Sequence, residues 1–144
     1  MTLTPSEIAD FRALAALIIP ASAKYDIPGA HDDLIFADIM ASLGRDLPDV
    51  QSALAALATI AGAPLASLPQ ARQTEIAAEL RARGGTPIAV LTRIVLLCYY
   101  RDDRVMLSLG LEPRPPFPKG HVLEQGDWSL LDPVKSRPPI WRPV

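Results

Sequence analysis

Few side chains in this 144-residue chain could do chemistry, and they stand apart. The two histidines, His31 and His121, lie ninety residues from each other. His31-Asp32-Asp33 has the composition of a metal site. Neighbours on a helix point in different directions, however, and no third or fourth ligand is evident, so helix capping is the better account of these aspartates. A single cysteine, Cys98, sits in an apolar run; one thiol can neither close an internal disulfide nor ligate a zinc or iron–sulfur centre alone, and it reads as a small core residue. The sequence has no H-x-x-x-H pair and no nucleophile elbow, and Gly84-Gly85-Thr86-Pro87 lacks the lysine and spacing of a phosphate-binding loop. The carboxylate pairs Asp32/Asp33 and Asp102/Asp103 fall at apparent helix starts, where capping explains them. An independent enzyme would have to use Tyr99, Tyr100, Asp102 or His121, a thin set. The expectation is a chain with no catalytic residue, metal or cofactor of its own.

The elements that position these residues are helices. Thr4-Pro5-Ser6-Glu7 is a capping box with proline in the first turn, followed by Ile8, Phe11, Leu14, Ala15 and Ile18 at helical spacing and a stop at Pro20. Residues 21–30 form a loop around the turn signal Pro28-Gly29. A second helix is predicted from His31 or Asp32 through Leu34, Ile35, Ile39 and Leu43, closed by Gly44 as a left-handed cap. A third opens at Pro48, buries Val50, Leu54, Leu57 and Ile60, and ends at Gly62. A fourth starts at Ser67-Leu68-Pro69-Gln70, turns Ile76, Ala77 and Leu80 inward, and stops at Gly84-Gly85. A fifth runs from Thr86-Pro87 to Tyr100; it is apolar all round except at Arg93, as suits the central helix of a bundle. Asp102 or Asp103 caps a last short helix that ends at Gly110. Asp38 and Arg93, both in apolar settings, are candidates for a buried pair fixing how two helices cross.

Composition narrows the function classes. Apolar residues make up 49 % of the chain and charged residues 21 %, the profile of one globular domain rather than a disordered chain. A net charge of −2 leaves no electrostatic footprint for nucleic acid or an anionic membrane. The run Ile94–Tyr100 is far shorter than the roughly 20 residues a spanning helix needs. With no basic leader and no twin arginine, a cytoplasmic location is expected, or a periplasmic one if a partner carries the export signal or the chain is processed.

The last quarter is different. Residues 111–144 hold eight of the fifteen prolines and both tryptophans, Trp128 and Trp141. Proline lowers the entropy lost on docking and tryptophan brings large area on few rotatable bonds, so this segment reads as an extended strap. It is expected to lie both on the helices and on another protein, with Pro116, Phe117, Trp128, Leu131, Trp141 and Arg142 as contact residues. The architecture expected is therefore all-α: a compact bundle of five to six helices over residues 1–110, then the Pro-rich tail over 111–144.

Two separated stretches add a family resemblance. Leu17-Ile18-Ile19-Pro20 with Ile27-Pro28-Gly29-Ala30, and later Tyr99-Tyr100-Arg101-Asp102-Asp103-Arg104-Val105 with Leu109-Gly110 and a Pro- and Gly-containing tail, resemble the gluconate 2-dehydrogenase subunit 3 family. This is the small, or gamma, subunit of bacterial flavin-dependent sugar dehydrogenases. The resemblance implies a non-catalytic helical subunit that binds and stabilises a large FAD-dependent partner of the glucose–methanol–choline oxidoreductase class, with the flavin and the chemistry in that partner. It also implies structural roles for Pro20, Pro28, Gly29, Tyr99, Tyr100 and Asp102. Exported members carry a twin-arginine signal; here Met1 lies a few residues before the first helix cap, so a cytoplasmic complex is expected. The alternative reading is a stand-alone helical protein that holds a small apolar ligand between its helices, the Ala-rich third helix permitting either close packing or a pocket.

Overall fold

The computed structural model describes residues 2–113 and 124–138. Pro116, Phe117, His121, Trp141 and Arg142 lie outside the described residues. The helices form where the local chemistry places them. Helix α1 (Pro5–Ile18) starts at the capping box: the Glu7 amide donates to Thr4 Oγ1 at 3.3 Å and the Thr4 amide donates to Glu7 Oε2 at 2.7 Å. Beyond α1 the chain closes a small knot. Ser22 and Ile27 exchange backbone hydrogen bonds as an isolated antiparallel bridge, Asp26 takes the left-handed conformation at φ +51°, and the Ala30 amide returns to the Ile19 carbonyl.

Helix α2 (Asp33–Ala41) is capped by Asp32, whose carboxylate accepts from the Leu34 and Ile35 amides. It ends before the expected Gly44. That glycine, at φ +38°, instead opens a 3-10 turn, Gly44–Asp46, that runs directly into α3 (Leu47–Ala61). Proline 48 costs nothing in the first turn of α3, so the connection is compressed into a single turn. Gly62, at φ +68°, ends α3 as predicted. A second 3-10 turn, Leu65–Ser67, precedes α4 (Gln70–Arg83), and α5 (Thr86–Tyr100) follows the Gly84-Gly85 joint. Asp102 caps α6 (Asp103–Ser108), which closes on Gly110 at φ +73° with the Leu111 amide donating back to Met106.

The core lies where α3 packs on α5 and α4, with α1 and α2 against them. Phe11, Ile35, Ile39, Val50, Leu57, Ile76, Leu91 and Val95 are fully buried there, and Phe11 meets Phe36 edge-on at 5.6 Å. No polar or charged residue is buried among the described residues. Cys98 is a core residue, as read from the sequence. By length and composition the helical stretch Gly44–Ser67 would suffice to cross a bilayer; here its Val50, Ala53, Leu54 and Leu57 face is buried in this core.

Helix α5 corrects an expectation. Its apolar residues are buried on one side only (Leu91, Ile94, Val95, Cys98 and Tyr99), while Ala89, Arg93, Leu96, Leu97 and Tyr100 form a stripe open to solvent. The elements packed against it, chiefly α3 and α2, occupy the inner side and leave the other open.

Contacts divide the chain after Pro113. In the second unit the described residues are not simply extended. Trp128–Leu131 form a 3-10 turn and Asp132–Lys135 a short helix, α7. Asp127 caps the turn by accepting from the Ser129 amide at 3.0 Å and hydroxyl at 2.6 Å, and Pro133 sits in the first turn of α7.

One long-range bond fixes the turn before α4. The amide of Leu65, whose side chain is buried, donates to Asp10 Oδ1 at 2.7 Å. Asp10→Ala leaves that amide without its partner and should cost about 1–3 kcal/mol in urea unfolding of the full chain; a change within error would remove this bond from the account of the fold.

Candidate functional site

Most of the residues that carry the family resemblance meet at one corner, built from the loop before α2, the end of α5 and the start of α6. The Tyr99 ring is buried in the core and its hydroxyl donates to the Pro28 carbonyl at 3.1 Å, closing 71 residues of chain. Gly29 passes so close to its surroundings that a Cβ there would stand 2.6 Å from the Ala21 nitrogen and 2.7 Å from the His31 ring. A backbone atom cannot yield as a side-chain tip can, so the position excludes any side chain.

Arg104 ties this corner together. Its guanidinium donates to Asp32 at 2.7 and 3.2 Å and to Asp102 at 2.9 and 3.0 Å. Asp32 is the N-cap of α2 and Asp102 the N-cap of α6. One side chain thus joins the starts of two helices through their capping carboxylates. Next to it, Arg101 donates twice to Asp38 at 2.6 Å and once to Ser42 Oγ at 2.6 Å. Farther along α5, Arg93 donates to Asp46 at 2.7 Å. The candidate Asp38–Arg93 pair is therefore not formed. Each residue has a different partner because α2 and α5 run in opposite senses: Arg104, Arg101 and Arg93 match Asp32, Asp38 and Asp46 in reverse order. These bridges lie at the protein surface and not in the core.

The electrostatics follow from the pairing. Arg104 holds Asp32 and Asp102 below the usual carboxylate range, and Arg101 does the same for Asp38. Both guanidiniums are pushed up in turn, chiefly by hydrogen bonds to those aspartates. Burial raises the Cys98 thiol and the Tyr99 phenol, which favours their protonated forms. A hollow of about 440 Å³ here is lined by Leu34, Ile35, Asp38, Cys98, Arg101 and Arg104, among others. Of its carboxylates, Asp38 and Asp102 accept from arginine, while Asp103 lines it without such a partner among the described residues. Among the described residues no group of three or more His, Cys, Asp or Glu could hold a metal ion.

Large apolar side chains are also exposed on the same elements. Leu97 and Tyr100 on α5 are 55 % and 54 % exposed, and Leu107, Leu109 and Leu111 on and after α6 are similarly open. Tyr100 stands edge-on to Tyr99 at 5.2 Å, so the exposed ring is braced by the buried one. Of the residues singled out from sequence, Pro28, Gly29, Tyr99, Tyr100 and Asp102 belong to this corner, while Pro20 is exposed just past α1. Trp128 and Leu131 lie in the second unit and are exposed. Arg101, Arg104 and Leu109 figured only as members of the resemblance motif, with no role given, and Leu97, Leu107 and Leu111 were not singled out. Arg104, two residues past a capping aspartate, carried a local signal, whereas the exposure of Leu96 and Leu97 depends on packing alone.

Paired carboxylates with lowered values contribute stability above their unfolded range, near pH 4, and lose it as pH falls through the folded values. In urea unfolding the full chain should therefore hold its stability down to about pH 5 and then decline. Arg104→Met should lower the plateau and flatten the decline, since Asp32 and Asp102 then titrate closer to their unfolded values; parallel wild-type and variant curves would mean that the clamp contributes nothing. No family model, curated protein or solved structure matches this chain.

Proposed function

We propose that this chain is a non-catalytic small subunit that binds and stabilises a large FAD-dependent oxidoreductase of the glucose–methanol–choline class, acting on sugars or related alcohols. The observation that carries the reading is the exposed apolar surface of α5 and α6: Leu96, Leu97, Tyr100, Leu107, Leu109 and Leu111 on a bundle whose core is already complete. Large side chains held open on a rigid helix, and braced from behind by Tyr99 and the Arg104 clamp, are the composition of a docking face. The residues of the family resemblance build the corner behind that face. In the second unit, Trp128, Leu130 and Leu131 supply further exposed anchors on short helical turns.

In this reading the flavin belongs wholly to the partner. The described residues of this chain contain helices and one isolated bridge, with no strand–glycine loop–helix unit to cradle a pyrophosphate. The small subunit contributes surface: it covers apolar area on the large subunit that would otherwise drive aggregation.

Co-expression of this chain with such a dehydrogenase should yield a yellow, soluble and active complex, and the large subunit alone should be poorly soluble or inactive. Leu97→Glu and Leu107→Glu, both at exposed positions, should each weaken assembly at least tenfold, about 1.4 kcal/mol, while leaving the helical circular dichroism of this chain unchanged. A dehydrogenase equally soluble and active without this chain would overturn the subunit role.

A further inference from the structure

A cleft of about 520 Å³ opens between α1, α4 and α5, on residues distinct from the outer α5–α6 face, and its argument does not depend on the subunit reading. Helices α4 and α5 follow each other in the chain and both pack on α3, yet they scarcely touch. Of the side chains that α4 contributes to the lining, Thr74, Ala77 and Ala78 are too short to fill the gap, and Leu80 and Arg81 border it. The walls are Leu17, Ile18, Ile88 and Leu91, and Leu17, Ile18 and Ile88 remain only partly buried. The volume falls within the range of about 300–1,000 Å³ typical of small-molecule sites.

Its charge is one-sided. Arg81 is the only charged residue lining the cleft, and among the described residues no carboxylate pairs with it. The hydroxyls of Thr74 and Thr92 already donate to the Gln70 and Ile88 carbonyls, so they offer a ligand only acceptor capacity. At the Arg81 end, α5 begins on Gly85, which provides no side-chain cap, and Ile88 of that first turn lines the cleft. Pro87 in that turn has no N–H to offer, so the positive charge at this end is that of Arg81. Apolar walls with positive charge at one end match an amphiphilic anion.

We propose that this cleft binds a medium-chain aliphatic carboxylate, its tail between α1, α4 and α5 and its carboxylate on Arg81. The test is calorimetric titration of the full chain with n-decanoate, n-decanol and decyltrimethylammonium, together with methyl NMR. Decanoate should bind saturably at one site, more tightly than decanol, with the ammonium weakest. The methyl resonances of Ile18, Ile88 and Leu91 should shift. Arg81→Gln, at an exposed position, should weaken decanoate at least tenfold and leave decanol unchanged; Ala77→Phe should weaken both by filling the gap. The proposal is overturned if decanoate fails to saturate, if Arg81→Gln binds it equally well, if decanol binds as tightly as decanoate, or if the shifts appear at Leu96 and Leu97 instead.

Discussion

One guanidinium shared between two helix caps organises the corner where α2, α5 and α6 meet. A helix N-terminus leaves amides without partners and carries partial positive charge, which a capping aspartate satisfies. Asp32 and Asp102 do this for α2 and α6. Each carboxylate has oxygen lone pairs left over, and Arg104 takes them up from both at once. Neither cap alone would place α6 relative to α2. With Arg104 between them, the start of α6 is fixed, and so is the direction in which Leu107 and Leu109 face.

The remaining bridges extend the same logic. Arg101 and Arg93 hold α5 to α2 and to the turn after it, while the buried phenol of Tyr99 reaches the loop that precedes α2. Pairs as exposed as these contribute modestly to stability. Their effect is on register: charges matched in reverse order along two antiparallel elements favour one alignment over a shift by a turn. The apolar core supplies the stability, and the rim of arginines fixes which way the open side of α5 is turned.

Much of the fold was legible because its punctuation is local. Thr4-Pro5-Ser6-Glu7, Gly62, Gly84-Gly85 and Gly110 act within one turn of themselves, and the helices begin and end at or near them. The closure of α2 was misread because Gly44 can end a helix or open a turn, and the choice depends on where α3 starts. The Asp38–Arg93 pair was only a candidate beside solvent-facing placements of each, because partner choice depends on how helices cross, which periodicity does not encode. The exposed stripe of α5 was hidden for the same reason: an apolar residue looks alike whether it faces the core or waits for something outside. At the corner, the residues were visible but not their connection, since Pro28 and Tyr99 come together only through the fold.

The absence of room at Gly29 has a consequence for tracing descent. A site where even a methyl group collides with main chain should resist drift longer than the interchangeable leucines and valines of the interior. Glycine there, following the proline whose carbonyl anchors a tyrosine seventy-one places later, with an aspartate and an arginine three and five positions beyond that tyrosine, makes a sparse fingerprint. Chains too diverged to align along their length could still be recognised by it.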